Sequence, residues 1–271
     1  MDNLDSLYRQ FSIQEVQNEA SLKLGNVYIP HRNLSETVSS FCSPIFEETG
    51  NIDYQLVPRG SATFLKHRNR YFAVLTYHQF LNQDYEKAAF FCSENSSIVK
   101  GGTFRWLENR NLEDTHSSDL LLIELTEAVQ KGLLNSSRFF PLSTANSIKN
   151  GDKIYSSLAL GFAVDDQKYD NEELEAYDFR LNRIGSVVRV LEVSYSGDSF
   201  DDTVCRWNSS DKPVFNANGF SGGGVFSLIE TSKGLEIKLA GIVITSNSVG
   251  SIFHTIKADT VMRYITSLFD H

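Results

Sequence analysis

Residues 218–226, NGFSGGGVF, place a serine among four glycines and form the segment that most clearly indicates catalytic chemistry. Glycine loses the most backbone entropy on folding, so such a cluster is expected where the chain turns sharply or approaches another group closely. In that conformation the amides of Gly219 and Ser221 could point into one space and stabilise a developing oxyanion. The alternative is a glycine-rich turn before a buried strand, with no chemical role.

A base for this serine is offered by His78, which follows the apolar run 72–77, FAVLTY. A histidine at the end of such a strand lies where the backbone leaves the core and a cleft can begin. A lone histidine in such a place is more often a structural hydrogen-bonding group than a base. The remaining histidines, in polar or terminal contexts, are His31, His67, His116, His254 and His271.

Asp119 opens the strongly apolar run 120–125, so its carboxylate is expected at the rim of a core. A turn or capping aspartate is the simpler interpretation of this residue alone. A serine nucleophile needs a base, and the base needs a carboxylate that holds its tautomer and stabilises the imidazolium. Because each of the three residues stands at the edge of a buried strand, together they predict a triad of His78, Asp119 and Ser221.

The elements that must position these residues are short, β-rich runs between about residues 26 and 256. Many short strands with helices near the two ends indicate an all-β sandwich or barrel. The clearest runs are residues 62–66, 71–76, 120–125, 153–160, 185–195, 223–228 and 235–244. Residues 67–70, HRNR, suit a hairpin turn between the first two.

Helical stripes flank this region. Leu4, Tyr8 and Phe11 predict a helix over residues 1–25, and Val261 and Ile265 belong to one over 259–269. A break near residues 144–150 divides the β-rich region into two halves. We therefore expect an N-terminal helical extension (1–25), a first barrel with the histidine and aspartate (26–145), and a second barrel with the serine and a C-terminal helix (146–271). Pattern alone is also compatible with a single sandwich.

Composition narrows the classes of function. The 271 residues carry a net charge of −9, which disfavours sequence-independent binding of nucleic acid. No apolar run approaches the length of a membrane helix, and the N-terminal residues have no secretory pattern, so a cytoplasmic location is expected. Cys42, Cys92 and Cys205 are widely spaced, form no CxxC pair and predict reduced thiols rather than a metal site.

Three segments, in this order, resemble the trypsin-like serine proteases. Residues 75–78, LTYH, are similar to the family's leucine-threonine-alanine-alanine-histidine block. Residues 119–123, DLLLI, look like its aspartate-isoleucine-alanine-leucine-leucine block, and residues 219–223, GFSGG, like its glycine-x-serine-glycine-glycine block. The resemblance covers about residues 45–269 and is to intracellular members without disulfides.

The resemblance implies two six-stranded antiparallel β-barrels and a serine endopeptidase that works through an acyl-enzyme. His78 would be the general base, Asp119 would orient it, and Ser221 would attack the scissile carbonyl. The amides of Gly219 and Ser221 would form the oxyanion hole. No cofactor or metal is implied; a protein or peptide is the expected substrate, and a regulatory partner protein is conceivable.

Two positions depart from the family pattern. Tyr77 replaces a small residue beside the base, and Phe220 stands where secreted members carry an aspartate that pairs with a newly cleaved N-terminus. That activation switch is therefore not expected here, and activity would be constitutive or controlled by the N-terminal helix or a partner.

Substrate preference is also inferred by resemblance. Phe215 aligns near the base of the primary specificity pocket, with Ile244, Thr245 and Ser246 along one wall. Because no acid aligns there, weak cleavage after lysine or arginine and a preference for small or apolar residues are expected. The acidic stretch 165–178 is interpreted as a solvated loop of the second barrel.

Two other interpretations compete with a trypsin-like protease. The Gly-x-Ser-x-Gly pattern also fits the nucleophile elbow of α/β-hydrolases, which needs a helix after the serine and an acid and a histidine downstream. Only 50 residues follow Ser221, and residues 222–228 are typical of a strand. The stronger alternative is a catalytically silent trypsin-like binding or scaffold module.

Overall fold

The computed structural model describes most of the chain from residue 21 onward. The described ranges are residues 21–50, 56–80, 84–91, 98–100, 102–106, 119–143, 147–148, 151–166, 168–174, 179–209, 216–232, 234–247 and 249–269. The strands are β1 (Ser21–Leu24), β2 (Val27–Pro30), β3 (Cys42–Glu48), β4 (Leu56–His67), β5 (Arg70–Thr76), β6 (Ala88–Phe91), β7 (Ile98–Lys100), β8 (Thr103–Trp106), β9 (Leu120–Glu124), β10 (Phe140–Pro141), β11 (Lys153–Gly161), β12 (Lys168–Leu174), β13 (Phe179–Gly185), β14 (Arg189–Ser199), β15 (Asp201–Ser209), β16 (Gly224–Thr231), β17 (Gly234–Ser246) and β18 (Ile252–Lys257). The α-helices are α1 (Leu34–Ser40), α2 (Thr126–Gln130) and α3 (Ala258–Phe269), and short 3-10 turns occur at His31–Asn33, Tyr77–Gln79, Tyr85–Lys87, Ser136–Arg138 and Val164–Asp166.

The C-terminal half forms a closed antiparallel barrel. Its strands follow the order β16, β11, β14, β15, β18 and β17, and β17 pairs back onto β16. Closure of this kind leaves no unpaired edge within the six strands. The β1–β2 hairpin extends the same sheet because β1 pairs in parallel with β17.

The N-terminal half forms a curled sheet in the order β7, β6, β3, β4, β5, β9 and β8, with β10 paired in parallel to β4. The predicted all-β fold is confirmed: a closed six-stranded barrel and a second curled sheet, with α1 near the N-terminus and α3 at the C-terminus. The two halves meet along an apolar layer, and this layer explains why several strands are apolar on both faces.

Strands at the junction bury both faces. In β9, Leu121 and Ile123 lie inside the curled sheet, whereas Leu120 and Leu122 lie in the layer between the two sheets. Since side chains alternate along a strand, burial of both faces requires an uninterrupted apolar run instead of an apolar–polar alternation. The same double burial accounts for the apolar run that leads to His78.

Aromatic rings form the centre of the layer between the sheets. The ring of Phe226, on β16 of the closed barrel, lies 5.2 Å from that of Phe140 and 5.9 Å from that of Phe41. Its neighbour Val225 points into the closed barrel instead, among residues that include Trp207 and Phe253. The layer therefore fixes the separation of the two halves through non-directional packing.

The structure agrees with the helix predicted at the C-terminal end of the chain but not with all of the helix predicted at the N-terminal end. Helix α3 agrees with the helix predicted over 259–269, and Val261 and Ile265 are fully buried against the layer between the sheets. The helix predicted over 1–25 lies mostly outside the described residues, and Ser21–Leu24 within it forms strand β1. Leu22 and Leu24 are buried while their neighbours are not, which is the alternation of a strand.

The acidic stretch 165–178 is not the simple loop that its composition suggested. Lys168–Leu174 forms β12, which pairs over its length with β13 in a separate two-stranded sheet. The strand predicted over 185–195 consequently begins later, at Arg189. Arg189 forms an ion pair with Asp166, and this hydrogen-bonded pairing lowers the pKa of the aspartate. Among the described helices, none is long and apolar enough to cross a membrane.

Truncation of Phe226 tests the layer between the sheets. Because its ring is almost fully buried between Phe41 and Phe140, Phe226→Ala should lower the free energy of unfolding by about 3–5 kcal/mol. The matched change Phe200→Ala removes a ring that is 57% exposed and should cost about 1 kcal/mol or less. Urea unfolding followed by circular dichroism measures both, and equal losses would contradict this role for Phe226.

Candidate active site

Two neighbouring strands of the curled sheet deliver His78 and Asp119 to one place. Thr76 ends β5 opposite Leu120, the first residue of β9. One residue beyond that pair, the N–H of Tyr77 donates to the carbonyl oxygen of Asp119 at 3.1 Å. The two segments therefore stay in register where the strands end. The 3-10 turn Tyr77–Gln79 then carries the histidine.

The Asp119 carboxylate holds His78 at two points. One oxygen, Oδ2, lies 2.6 Å from the ring Nδ1, and the other, Oδ1, accepts from the main-chain N–H of His78 at 3.1 Å. An ionised carboxylate can only accept, so the proton of the neutral ring belongs on Nδ1 and the lone pair on Nε2. The His78 side chain is 52% exposed and that of Asp119 20%, which leaves the ring accessible while its partner is shielded.

The free ring nitrogen of His78 faces the serine. Nε2 lies 3.2 Å from Oγ of Ser221, within hydrogen-bonding reach. The same hydroxyl oxygen lies 3.2 Å from the carbonyl oxygen of Ile244. The three residues predicted as a triad are therefore brought together in one hydrogen-bonded line, contributed by both halves of the molecule.

The turn that carries Ser221 has a selective pattern of hydrogen bonds. Phe220 N–H donates to the Ala217 carbonyl, Gly222 N–H to that of Val243, and Gly223 N–H to that of Phe220. Within the described part of the chain, the N–H groups of Gly219 and Ser221 bond to no acceptor. These are the two amides that the sequence analysis singled out.

The direction of each unpaired amide is set by its own peptide unit. In a trans peptide the N–H and C=O groups point in opposite directions. The Asn218 carbonyl accepts from Val164 N–H at 2.9 Å, so the Gly219 N–H of the same unit points away from Val164. The Phe220 carbonyl accepts from Gly223 N–H at 2.8 Å and fixes the Ser221 N–H in the same way.

Glycine is required in this turn for steric reasons as well. Gly219 has a φ of +98° and Gly222 a φ of +84°, a region that other residues rarely adopt. A Cβ on Gly222 would also lie 2.0 Å from the Ser61 carbonyl oxygen, and one on Gly219 would lie 2.3 Å from that of Phe162. The turn is therefore packed directly against backbone on both sides.

Hydroxyl groups of β4 hold the turn from the opposite sheet. Ser61 Oγ donates to the Gly219 carbonyl at 2.6 Å and accepts from Phe162 N–H at 2.8 Å. Thr63 Oγ1 donates to the Gly222 carbonyl at 2.8 Å. Sequence analysis missed both residues; the signal was two small polar residues within the fully buried run 61–65 of β4.

The residues predicted to bind substrate lie beside the serine, as far as they are described. Ile244 occupies an irregularity in the pairing of β17 with β18, which frees its carbonyl for the Ser221 hydroxyl. Its side chain is buried in the layer between the sheets, so only its main chain can line a pocket. Thr245 and Ser246 follow and are partly exposed. Phe215 lies outside the described residues.

The two departures from the family pattern have packing roles. Phe220 is fully buried in the closed barrel, with its ring 5.4 Å from that of Phe253. The ring of Tyr77 lies 5.2 Å from that of Tyr85 in the curled sheet. Burial raises the pKa of Tyr85, so its phenol stays neutral beside the site.

Both cysteines within the described residues are buried, protonated thiols. Cys42 and Cys205 are buried and form no disulfide. Burial raises the pKa of Cys42 to about 12 and that of Cys205 to about 11, so both thiols are protonated at neutral pH. Cys92 lies outside the described residues. Within the described ranges, no group of three or more His, Cys, Asp or Glu side chains is arranged to hold a metal ion.

A closed antiparallel barrel beside a curled sheet is compatible with the double-barrel fold of the trypsin-like serine proteases. A scan against protein-family models finds no match to the chain, and a search of curated proteins finds none either. The activity must therefore be inferred from the arrangement of the chain's own residues.

A pair of glycine substitutions tests the close packing of the serine turn. Gly132 has a φ of +73° with nothing near its Cβ position, so Gly132→Ala should cost only the left-handed strain of about 1–2 kcal/mol. Gly222→Ala meets the Ser61 carbonyl as well and should cost an additional ~1–3 kcal/mol in the free energy of unfolding. Urea denaturation compares the two, and equal costs would show that the turn can move away from β4.

Proposed function

We propose that this protein is a serine endopeptidase. The observation that carries the proposal is the hydrogen-bonded line from Asp119 through His78 to Ser221, with two amides on the serine's own turn that have no acceptor among the described residues. A structural histidine would need neither a carboxylate on one ring nitrogen nor a hydroxyl on the other. Acyl transfer needs both, together with a site for the oxyanion.

In the acylation step, Ser221 Oγ attacks the carbonyl carbon of the scissile peptide bond as His78 Nε2 takes the hydroxyl proton. Asp119 holds the resulting imidazolium through Nδ1 and stabilises its charge. The carbonyl oxygen becomes an oxyanion that accepts from the Gly219 and Ser221 N–H groups. The C–N bond then breaks, His78 returns its proton to the leaving amine, and an ester joins the acyl group to Ser221.

Deacylation repeats these steps with water. His78 Nε2 takes a proton from a water molecule as its oxygen attacks the ester carbon, and the oxyanion forms again at the same amides. The C–O bond to Ser221 breaks, the proton passes from His78 to Oγ, and a carboxylic acid leaves. All these groups belong to the chain, so the proposed chemistry needs no cofactor.

A protein or peptide substrate fits the surroundings of Ser221. Main-chain groups of Thr245 and Ser246 follow the serine's partner Ile244 at the end of β17 and can pair with an extended peptide. The proposed preference for small or apolar residues, rather than lysine or arginine, rests on the sequence alignment of Phe215 and these three residues.

Covalent labelling tests the nucleophile. A fluorophosphonate should react once with the folded wild-type protein and place its mass on the peptide that contains Ser221. Ser221→Ala should abolish the label, whereas Ser136→Ala, which removes an exposed hydroxyl, should leave it intact. Intact-protein and peptide mass spectrometry provide the measurement. A folded wild-type protein that stays unlabelled would instead favour the catalytically silent binding module.

Asp119→Asn tests the orienting carboxylate. The asparagine amide can donate to Nδ1, which moves the ring proton to Nε2 and leaves no lone pair facing Ser221. The rate constant for labelling should therefore fall by about 10⁴-fold, as expected when the ring adopts the wrong tautomer. Asp84→Asn makes the same change at an exposed carboxylate and should leave the rate unchanged. A rate within about tenfold of wild type for Asp119→Asn would contradict the assigned role.

A further inference from the structure

Gln79 is a buried polar side chain directly after His78. It is only 7% exposed, although it lies on the turn that carries a half-exposed histidine. Buried amides must have hydrogen-bonding partners, because an unsatisfied one costs free energy. The partners of Gln79 lie on both turns of the candidate site.

The side-chain amide of Gln79 contacts acceptors at one end and a donor at the other. Its Nε2 donates to the carbonyl oxygens of Ser221 at 2.7 Å and Ser61 at 3.0 Å. Its Oε1 accepts from Thr76 N–H at 2.9 Å. The reversed amide would set Oε1 against carbonyl oxygens and Nε2 against an N–H group, so these partners determine its orientation.

The bond from Thr76 N–H to Oε1 closes the turn that presents His78. Thr76 ends β5, and Gln79 is the last residue of the 3-10 turn Tyr77–Gln79. The histidine is thus enclosed between two residues that the amide oxygen ties together. One end of the Gln79 amide consequently stabilises the turn of the proposed base.

The bonds from Nε2 hold the turn of the proposed nucleophile. The Ser221 carbonyl accepts from Gln79 and also from Ser61 N–H at 3.2 Å. Two donors fill both lone-pair directions of this oxygen and fix the rotation of the backbone between Ser221 and Gly222. Gly222 N–H, in the same peptide unit, donates to Val243 in the closed barrel at 2.8 Å.

The fold leaves space for this amide. Gly60 on β4 has a φ of +130°, and a Cβ there would lie 2.6 Å from Nε2 of Gln79. A residue larger than glycine would therefore displace the Gln79 amide from the Ser221 carbonyl. The close approach of β4 to the serine turn and the burial of Gln79 depend on the same missing side chain.

We propose that Gln79 is a positioning residue that couples the turn of His78 to the turn of Ser221. The inference rests on the proposed function, because it assigns to Gln79 the alignment of Nε2 with Oγ. Among the described residues, the side chain of Gln79 hydrogen-bonds only to main-chain groups and to neither the His78 ring nor Ser221 Oγ. It acts through the main chain of the two residues that would carry out proton transfer and attack.

Gln79→Met tests this role, because methionine has a similar volume but cannot replace the hydrogen bonds of the Gln79 amide. The probe is a fluorophosphonate, whose saturable labelling of Ser221 separates the maximal rate constant from the half-saturating concentration. Misplacement by about 1 Å can cost about 10²-fold, so the maximal rate constant should fall about 10–100-fold. The half-saturating concentration should stay within about threefold, because no contact to the probe is removed.

Two controls separate positioning from general destabilisation. Gln130→Met makes the same substitution at an exposed residue that ends α2 and should label at the wild-type rate. Val261→Ala lowers stability at a buried residue of helix α3, which belongs to neither turn, and it should also label at the wild-type rate. Should Gln79→Met fail to fold, Gln79→Asn, which retains the amide but is one methylene too short to reach Ser221, serves the same comparison.

Amide hydrogen exchange supplies a readout that does not depend on labelling. In Gln79→Met, the Gly222 and Gly223 amides should exchange faster than in wild type, while core amides such as those of Leu121 and Ile242 keep their protection. If the wild-type protein is labelled and Gln79→Met is labelled at the same rate, the inference about Gln79 is overturned and the proposed function is not. An unlabelled wild-type protein would overturn the proposed function, and unchanged exchange at Gly222 would then overturn the tethering of the turn as well.

Discussion

The carbonyl group of Ser221 is a point at which several directional bonds join the two halves of the molecule. It accepts from Ser61 N–H and from Gln79 on the curled sheet, whereas the N–H of the same peptide unit donates to Val243 in the closed barrel. The peptide group between Ser221 and Gly222 is thereby hydrogen-bonded to both halves of the molecule. These bonds can form only because the aromatic layer around Phe226 holds the sheets at a fixed separation. Packing sets the distance between the halves, and hydrogen bonding sets the orientation of the serine within it.

The parts of the fold that sequence predicts well are those set by local pattern. The apolar runs of β5 and β9 are continuous because both of their faces are buried, and α3 shows its stripe through Val261 and Ile265. The incorrect predictions concern segments whose structure depends on pairing with a strand that the local sequence does not reveal. The helix predicted over residues 1–25 included Leu22 and Leu24, but these residues form strand β1 because β17 supplies a partner strand more than two hundred residues later. The acidic strand β12 is similarly paired with β13 despite a composition typical of loops.

The candidate site likewise contains residues that local sequence indicates and residues that only the structure reveals. His78, Asp119 and Ser221 are conspicuous because each stands at the end of an apolar run or inside a glycine cluster, both visible within a few residues of the chain. Gln79 has no such local signal, and the small polar Ser61 within a buried run gives no indication of its partner. Their partners in the serine turn lie 142 and 158 residues away, so their roles follow only from the closure of one sheet against the other. The groups that would perform the chemistry can be found by pattern, whereas the groups that align them require coordinates.

The irregular pairing at Ile244 has a consequence for the resting state of the site. Oγ of Ser221 lies at the same distance, 3.2 Å, from the Ile244 carbonyl oxygen and from His78 Nε2. When the imidazole carries two protons, Nε2 becomes a donor to Oγ, and the hydroxyl hydrogen can turn to Ile244. The second ring proton thus reverses the polarity of one contact and breaks none, because Asp119 still accepts from Nδ1. The framework around the serine can therefore persist through gain and loss of a proton, and only the hydroxyl hydrogen has to rotate.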